Sequence, residues 1–207
     1  MKINIVFLKS EKDFTKKQKQ KIRDIVRGGC KDTAKLLGIK EPVINFTIYP
    51  FNKNYVGGFA QAKDFINISI PRKGFSEDYL RSTVYHEMHH VKRGYVGYAE
   101  KISLLESLFA EGSATVFALE QVPEYVPKWS KYSKKMLDKW LPDVEKEKHK
   151  TGYSHDEWFF GAKGKPFQLG YKLGVYFVRR IQKNYPDIKQ EALVNKSAKD
   201  LLKMADL

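Results

Sequence analysis

Residues 81–91 read Arg-Ser-Thr-Val-Tyr-His-Glu-Met-His-His-Val, and the fold turns on how this stretch is read. Within it, His86-Glu87-Met88-His89-His90 is an HExxH pattern. Leu80, Val84, Met88 and Val91 recur at spacings of three and four, which predicts a helix over 77–93. Ser76 suits the helix start, Glu77 and Asp78 suit its first turn, and Gly94 and Gly97 offer a stop. On such a helix His86 and His90 lie one turn apart on the same face. Two imidazoles so placed can grip one zinc ion. Glu87 then stands beside the metal, where a carboxylate can take a proton from water. The bland alternative is a helix that carries histidines for packing or solvation. Histidine is scarce, with five in 207 residues, so chance alone gives the pattern in on the order of one such chain in a hundred.

A catalytic zinc site usually has three protein ligands and an open fourth position. A longer HExxHxxGxxH pattern would need histidine at position 96, which is Val96. A glutamate from the following segment is the remaining source, and both Glu106 and Glu111 are available. They are five positions apart, about 140° around a helix, so both cannot face one ion. One of the two is the expected ligand, and the other is left to a salt bridge or to a supporting contact beside the ligands. His89 is expected to support the ligands or face the core. A His86–His89 pair would leave Glu87 without a role. Gly112, beside Glu111, is expected to let this helix pack close to the HExxH helix.

The rest of the chain reads in order as follows. Residues 3–8 form a short strand, and 14–37 a long helix with a stripe of Ile22, Ile25, Val26, Cys30, Ala34 and Leu37 that stops at Gly38. Residues 43–49 and 65–70 are strands ended by Pro50 and Pro71, and 54–59 is a turn between them. In zinc peptidases the strand just before the HExxH helix commonly forms an exposed edge, and by that likeness residues 65–70 are expected to be an edge on which an extended peptide pairs, with Ile68 in contact. Gly57 and Gly58 either let that backbone come close or merely make the turn. A second long helix covers 99–122, and Pro123 and Pro127 mark a linker. Lysine-rich residues 128–150 carry an apolar spine of Trp129, Tyr132, Met136, Leu137 and Trp140, and Pro142 is expected to break it. Then come a glycine and aromatic loop over 152–165 that holds His155, a helix over 166–184, and a final helix over 191–206.

An apolar content of 42% and an aromatic content of 14% argue for a folded chain. The net charge of +14 favours anionic partners, although solvated lysine faces are the commoner cause. Cys30 is the sole cysteine, so no intramolecular disulfide can form. The N-terminal apolar run is too short for a signal peptide and no stretch reaches the length of a membrane span, which predicts a soluble, cytoplasmic protein.

These motifs resemble the gluzincin clan, and Glu111-Gly112-Ser113-Ala114 is similar to the Glu-Gly-Phe-Ala run of alanyl-aminopeptidase-type zinc enzymes, where that glutamate is the ligand. The chain more closely resembles the "predicted Zn-dependent protease" domain family. The features shared with it are Gly57-Gly58, His86 to His90, Glu106 to Ala114 and Tyr171-Lys-Leu-Gly174, over most of residues 50–205. The resemblance implies a single α+β domain with a thermolysin-like zincin core, a β-rich upper lobe over 1–75 and a helical lobe over 76–207. It also implies one catalytic Zn²⁺ on His86, His90 and Glu111, with Glu87 as general base acting on a peptide or protein substrate. Tyr171 and His155 are the two candidates to stabilise the developing oxyanion. No Gly-Ala-Met-Glu-Asn-type exopeptidase motif is present, which leans toward an endopeptidase. The competing reading is a basic module for nucleic acid or an anionic surface, built on the same scaffold around the lysines and aromatics of 128–150.

Overall fold

The computed structural model describes residues 1–8, 14–51, 54–72, 74–97 and 102–207. It is a mixed α+β structure with one four-stranded sheet. The chain divides into two compact units, Met1–Tyr98 with Phe117–Tyr125, and Ala99–Val116 with Val126–Leu207.

In the first unit, β1 (Lys2–Phe7) leads to α1 (Lys16–Leu37) and then β2 (Val43–Phe51). Thr15 and Gln18 close a capping box at the start of α1, and Gly38 ends it in the left-handed region at φ 62°. β3 (Gly57–Ala62) and β4 (Phe65–Pro71) follow, and α2 (Glu77–Arg93) completes the unit's regular elements up to residue 93. The strand order is β1-β2-β4-β3. β1, β2 and β4 run parallel, and β3 lies antiparallel on β4. Alternation along β2 and β4 sends Ile44, Phe46, Ile48, Ile66, Ile68 and Ile70 into the core, all at most 1% exposed. The α1 stripe of Ile22, Val26, Cys30 and Leu37 and the α2 stripe of Leu80, Val84 and Met88 share that core. α1 meets α2 closely at Gly29, where a Cβ would stand 3.0 Å from Val84 Cγ1.

In the second unit, α3 (Leu104–Gln121) is followed by a 3₁₀ turn at Lys128–Ser130. Then come α4 (Lys134–Glu147), α5 (His155–Phe159), α6 (Leu169–Asn184), α7 (Gln190–Val194) and α8 (Ala198–Ala205). Leu104, Leu108 and Phe109 of α3 pack in this core with Trp158, Leu173, Phe177 and Leu201. Farther along the same helix, Phe117 and Ala118 belong to the core of the first unit. At Gly112 the backbones of α3 and α6 touch. A Cβ there would lie 2.2 Å from the carbonyl carbon of Gly174, and one on Gly174 would lie 2.1 Å from the Leu108 oxygen. Only glycine at both positions permits this crossing.

Several elements depart from the sequence reading. Residues 57–62 form a strand where a turn was expected, because Gly-Gly-Phe-Ala-Gln-Ala lacks the β-branched residues that signal one. β2 runs through Pro50, which lies past the last β1–β2 pair, Phe7↔Ile48, so its missing N–H breaks no bond of that ladder. Pro142 lies inside α4 rather than ending it, and buried Leu137 and Val144 anchor the helix on both sides. His155 opens a short helix capped by Ser154 instead of lying in a loop. The final helix is two, since Ser197 caps a new start at Ala198. α3 begins at Leu104, and the expected start at Ala99 lies outside the described residues. Among the described residues, no helix is long and apolar enough to cross a membrane.

Candidate metal centre

α2 holds the HExxH residues rigidly because both its ends are closed. Ser76 accepts from the Tyr79 N–H, Glu77 and Asp78 sit at the positive end of the helix dipole, and Gly94 in the left-handed region donates to the His90 and Val91 carbonyls. The stop therefore falls directly after the motif. His86 and His90 meet with their Nε2 atoms 3.0 Å apart. The His90 ring also lies 5.0 Å from that of Tyr95, whose N–H donates to the His90 carbonyl.

Glu111 reaches the same place from α3. One ligand atom each from His86, His90 and Glu111 lie within 4.8 Å of one another, and this is the group of metal-ligand side chains found among the described residues. His90 and Glu111 are buried, at 4% and 6% exposure. Two nitrogens held at about 2.05 Å by a tetrahedral zinc would be about 3.3 Å apart. The observed 3.0 Å is close to that, and a Glu111 oxygen lies within 4.8 Å of a ring nitrogen of each histidine. Two imidazoles and one carboxylate are also a donor set typical of catalytic zinc. The residues fit the ion.

Glu87 is 5% exposed, and its Oε2 accepts from the Ala60 N–H of β3 at 2.9 Å. Its side chain lies flat on Gly58, where a Cβ would come within 2.5 Å of Glu87 Cγ and Oε1. Gly58 lies within β3 rather than in a turn, and what comes close to it is the Glu87 side chain. Gly57 is crowded by Ser69 Oγ, 2.6 Å from a built Cβ. The expectation that β4 forms the exposed edge is corrected by the sheet order. β4 is bonded on both sides, to β2 and β3, and Ile68 is fully buried within it. β3 is the strand at that end of the sheet. On its outer side Ala60 is already occupied, its N–H by Glu87 and its carbonyl by the Gly97 N–H at 2.9 Å. Strand alternation turns the N–H and carbonyl of Gly58 the same way as those of Ala60.

In the second unit, the contact between Gly112 and Gly174 sets Glu111 beside α6. This corrects the expectation that Gly112 serves the approach to the HExxH helix, since its nearest neighbour is the Gly174 backbone. Tyr171, one turn before Gly174, turns its ring edge-on to Phe159 at 5.2 Å and lies 6.4 Å from Trp129. His155 stacks on the same Phe159, with its ring 4.4 Å away and nearly parallel. Burial pushes the His155 pKa down, and the Glu111 and Asp156 carboxylates partly oppose that shift. Glu111, His155, Phe159 and Tyr171 are therefore near neighbours. Neither Phe159 nor Ala60 stood out in the sequence, since one looks like any core aromatic and the other acts only through its backbone.

His89 is outside the metal-ligand group. It is fully buried, and its ring is 5.7 Å from Phe117. Glu106 lies in the first turn of α3, where its N–H donates to Ser103 Oγ, and it is outside the His-His-Glu group.

Residues 38–203 match the model of the family described as predicted Zn-dependent protease (DUF2268), and the chain belongs to that family. No curated protein and no solved structure matches it.

Proposed function

We propose that the protein is a zinc-dependent peptidase of the gluzincin type, with a thermolysin-like arrangement of its sheet and HExxH helix. The observation that carries this reading is the meeting of His86, His90 and Glu111 next to a buried glutamate that follows the first histidine. A structural metal site would have no use for that glutamate. His86, His90 and Glu111 would hold a zinc ion, which would supply a Lewis acid and lower the pKa of a bound water.

The chain's own groups do the rest. Glu87, steered by the Ala60 N–H, takes a proton from the attacking water and returns it to the leaving amine. Tyr171 and His155 are the donors available to the oxyanion, both steadied by Phe159. An extended peptide binds along the outer side of β3 at Gly58, which lies against the Glu87 side chain. A strand-like grip on backbone rather than on chain ends favours endopeptidase action.

Zinc content and hydrolysis of a fluorogenic peptide library test the reading on wild type and Glu87→Gln. One zinc per chain in both proteins, with cleavage by the wild type alone, is the expected result. Absence of zinc after reconstitution of the wild type would overturn it.

A further inference from the structure

We propose that the outer face of α1 is a binding surface for the phosphate backbone of duplex nucleic acid. It stands apart from the peptidase reading and uses none of its residues. α1 carries eight Lys or Arg against two Asp in 22 residues, with no acid in its first turn. Its apolar face is consumed by the core through Ile22, Val26, Cys30 and Leu37. On the opposite side Lys17, Asp24, Arg27, Gly28, Lys31 and Lys35 fall within one face about 100° wide and are all exposed. No described carboxylate pairs with Lys17, Arg27, Lys31 or Lys35, whereas Lys21 is paired with Glu77, and Arg23 lies over the Phe7 ring. This face runs for about 27 Å, most of a turn of duplex.

The second observation is Gly28. Glycine is the least favourable helix-interior residue after proline. Gly29 has a packing reason in Val84, but a Cβ on Gly28 would meet nothing within 4 Å. No contact within the protein explains a bare backbone in the middle of a cationic face. Close approach by another molecule does, as it does where backbones meet phosphates. Charge selects the partner as a polyanion. An anionic bilayer fits less well, because the face presents no apolar side chain to insert. The acidic exception is Asp24, which accepts from Gln20 Nε2 at 2.8 Å.

The test is fluorescence anisotropy of a labelled 20-base-pair duplex titrated with full-length protein, with phosphatidylserine vesicles in parallel. Four phosphate contacts give a salt slope of about −3.6, so affinity should fall on the order of a hundredfold between 50 and 200 mM KCl. Arg27→Glu/Lys31→Glu/Lys35→Glu should lower affinity more than tenfold, and Asp24→Asn should raise it. Gly28→Leu is the decisive variant. It should raise the melting temperature while weakening binding several-fold, and Glu87→Gln should leave binding unchanged. Duplex binding indifferent to both the triple variant and Gly28→Leu would overturn the proposal. So would binding to vesicles without binding to the duplex.

Discussion

Replacing Gly58 by alanine should disable the protein without unfolding it or stripping its metal. The added Cβ would stand 2.5 Å from Glu87 Cγ and Oε1 and 2.7 Å from Cδ. Ordinary carbon contacts need about 3.5–4.0 Å, so the Glu87 carboxylate must retreat by about 1 Å. That stretches its 2.9 Å bond to the Ala60 N–H beyond a useful length. Losing a charge-assisted hydrogen bond costs about 1.5–3 kcal/mol, and alanine in a strand recovers about 0.5–1 kcal/mol relative to glycine. The net loss of stability is small because the crowded group is the movable end of a side chain. Catalysis is less forgiving. A 1 Å displacement of a reacting group costs about a hundredfold in rate, close to 2.7 kcal/mol of barrier. Steady-state hydrolysis should therefore show kcat down about a hundredfold with zinc content unchanged, while the net loss of about 0.5–2.5 kcal/mol lowers the melting temperature by about 1–10 °C. Because Gly58→Ala acts through Glu87, it should add little in a Glu87→Gln background, and a double-mutant cycle reads this directly. Wild-type kcat in Gly58→Ala, or full additivity with Glu87→Gln, would refute the reasoning.

Three further outcomes follow from the structure. Glu111→Ala should lose zinc, measured by metal analysis after gel filtration, while Glu106→Ala should keep it. Gly112→Ala and Gly174→Ala should each destabilise by several kcal/mol in urea melts, because the clash at 2.2 and 2.1 Å is with backbone that cannot turn aside. Cys30 is fully buried, and burial pushes its thiol up to about 12. The fold thus favours the protonated thiol. Its contribution is intact below the unfolded value of about 8.5 and is lost as pH rises toward 12. Chemical denaturation between pH 9 and 12 should show stability falling more steeply in the wild type than in Cys30→Ala. Iodoacetamide at pH 8 should label Cys30 only as fast as the unit opens.

What could be read from the sequence was what is local. Helix α2 came through with both ends, because Ser76, the 3.6-residue stripe and Gly94 lie within the segment they define. The pairing of His86 with His90 is likewise a property of one helical turn. β3 did not come through, since its place depends on β4 and on Glu87 rather than on its own weak propensity. The isoleucines of β4 read equally well as an edge or as a buried strand until its neighbours are known, so only the likeness to zinc peptidases points to β4 as the exposed edge. Gly112 was understood as a contact residue but given the wrong partner. One sequence states that a helix face must be bare and leaves open what approaches it.

The two carboxylates of the site differ from the two histidines in this respect. His86 and His90 are set by their own helix. Glu87 and Glu111 are each set by a glycine contact made elsewhere in the chain. Gly58 supplies the flat backbone on which Glu87 lies, and the Gly112–Gly174 crossing holds α3 against α6 where Glu111 projects. A side chain larger than hydrogen at any of these three positions displaces a carboxylate or a helix while leaving the HExxH letters untouched. A chain carrying His-Glu-x-x-His and a downstream Glu, but with Gly58, Gly112 or Gly174 replaced, would keep the motif and lose the geometry. These glycines therefore discriminate such a centre better than the motif alone, because the motif needs one helix and each carboxylate needs a contact outside it.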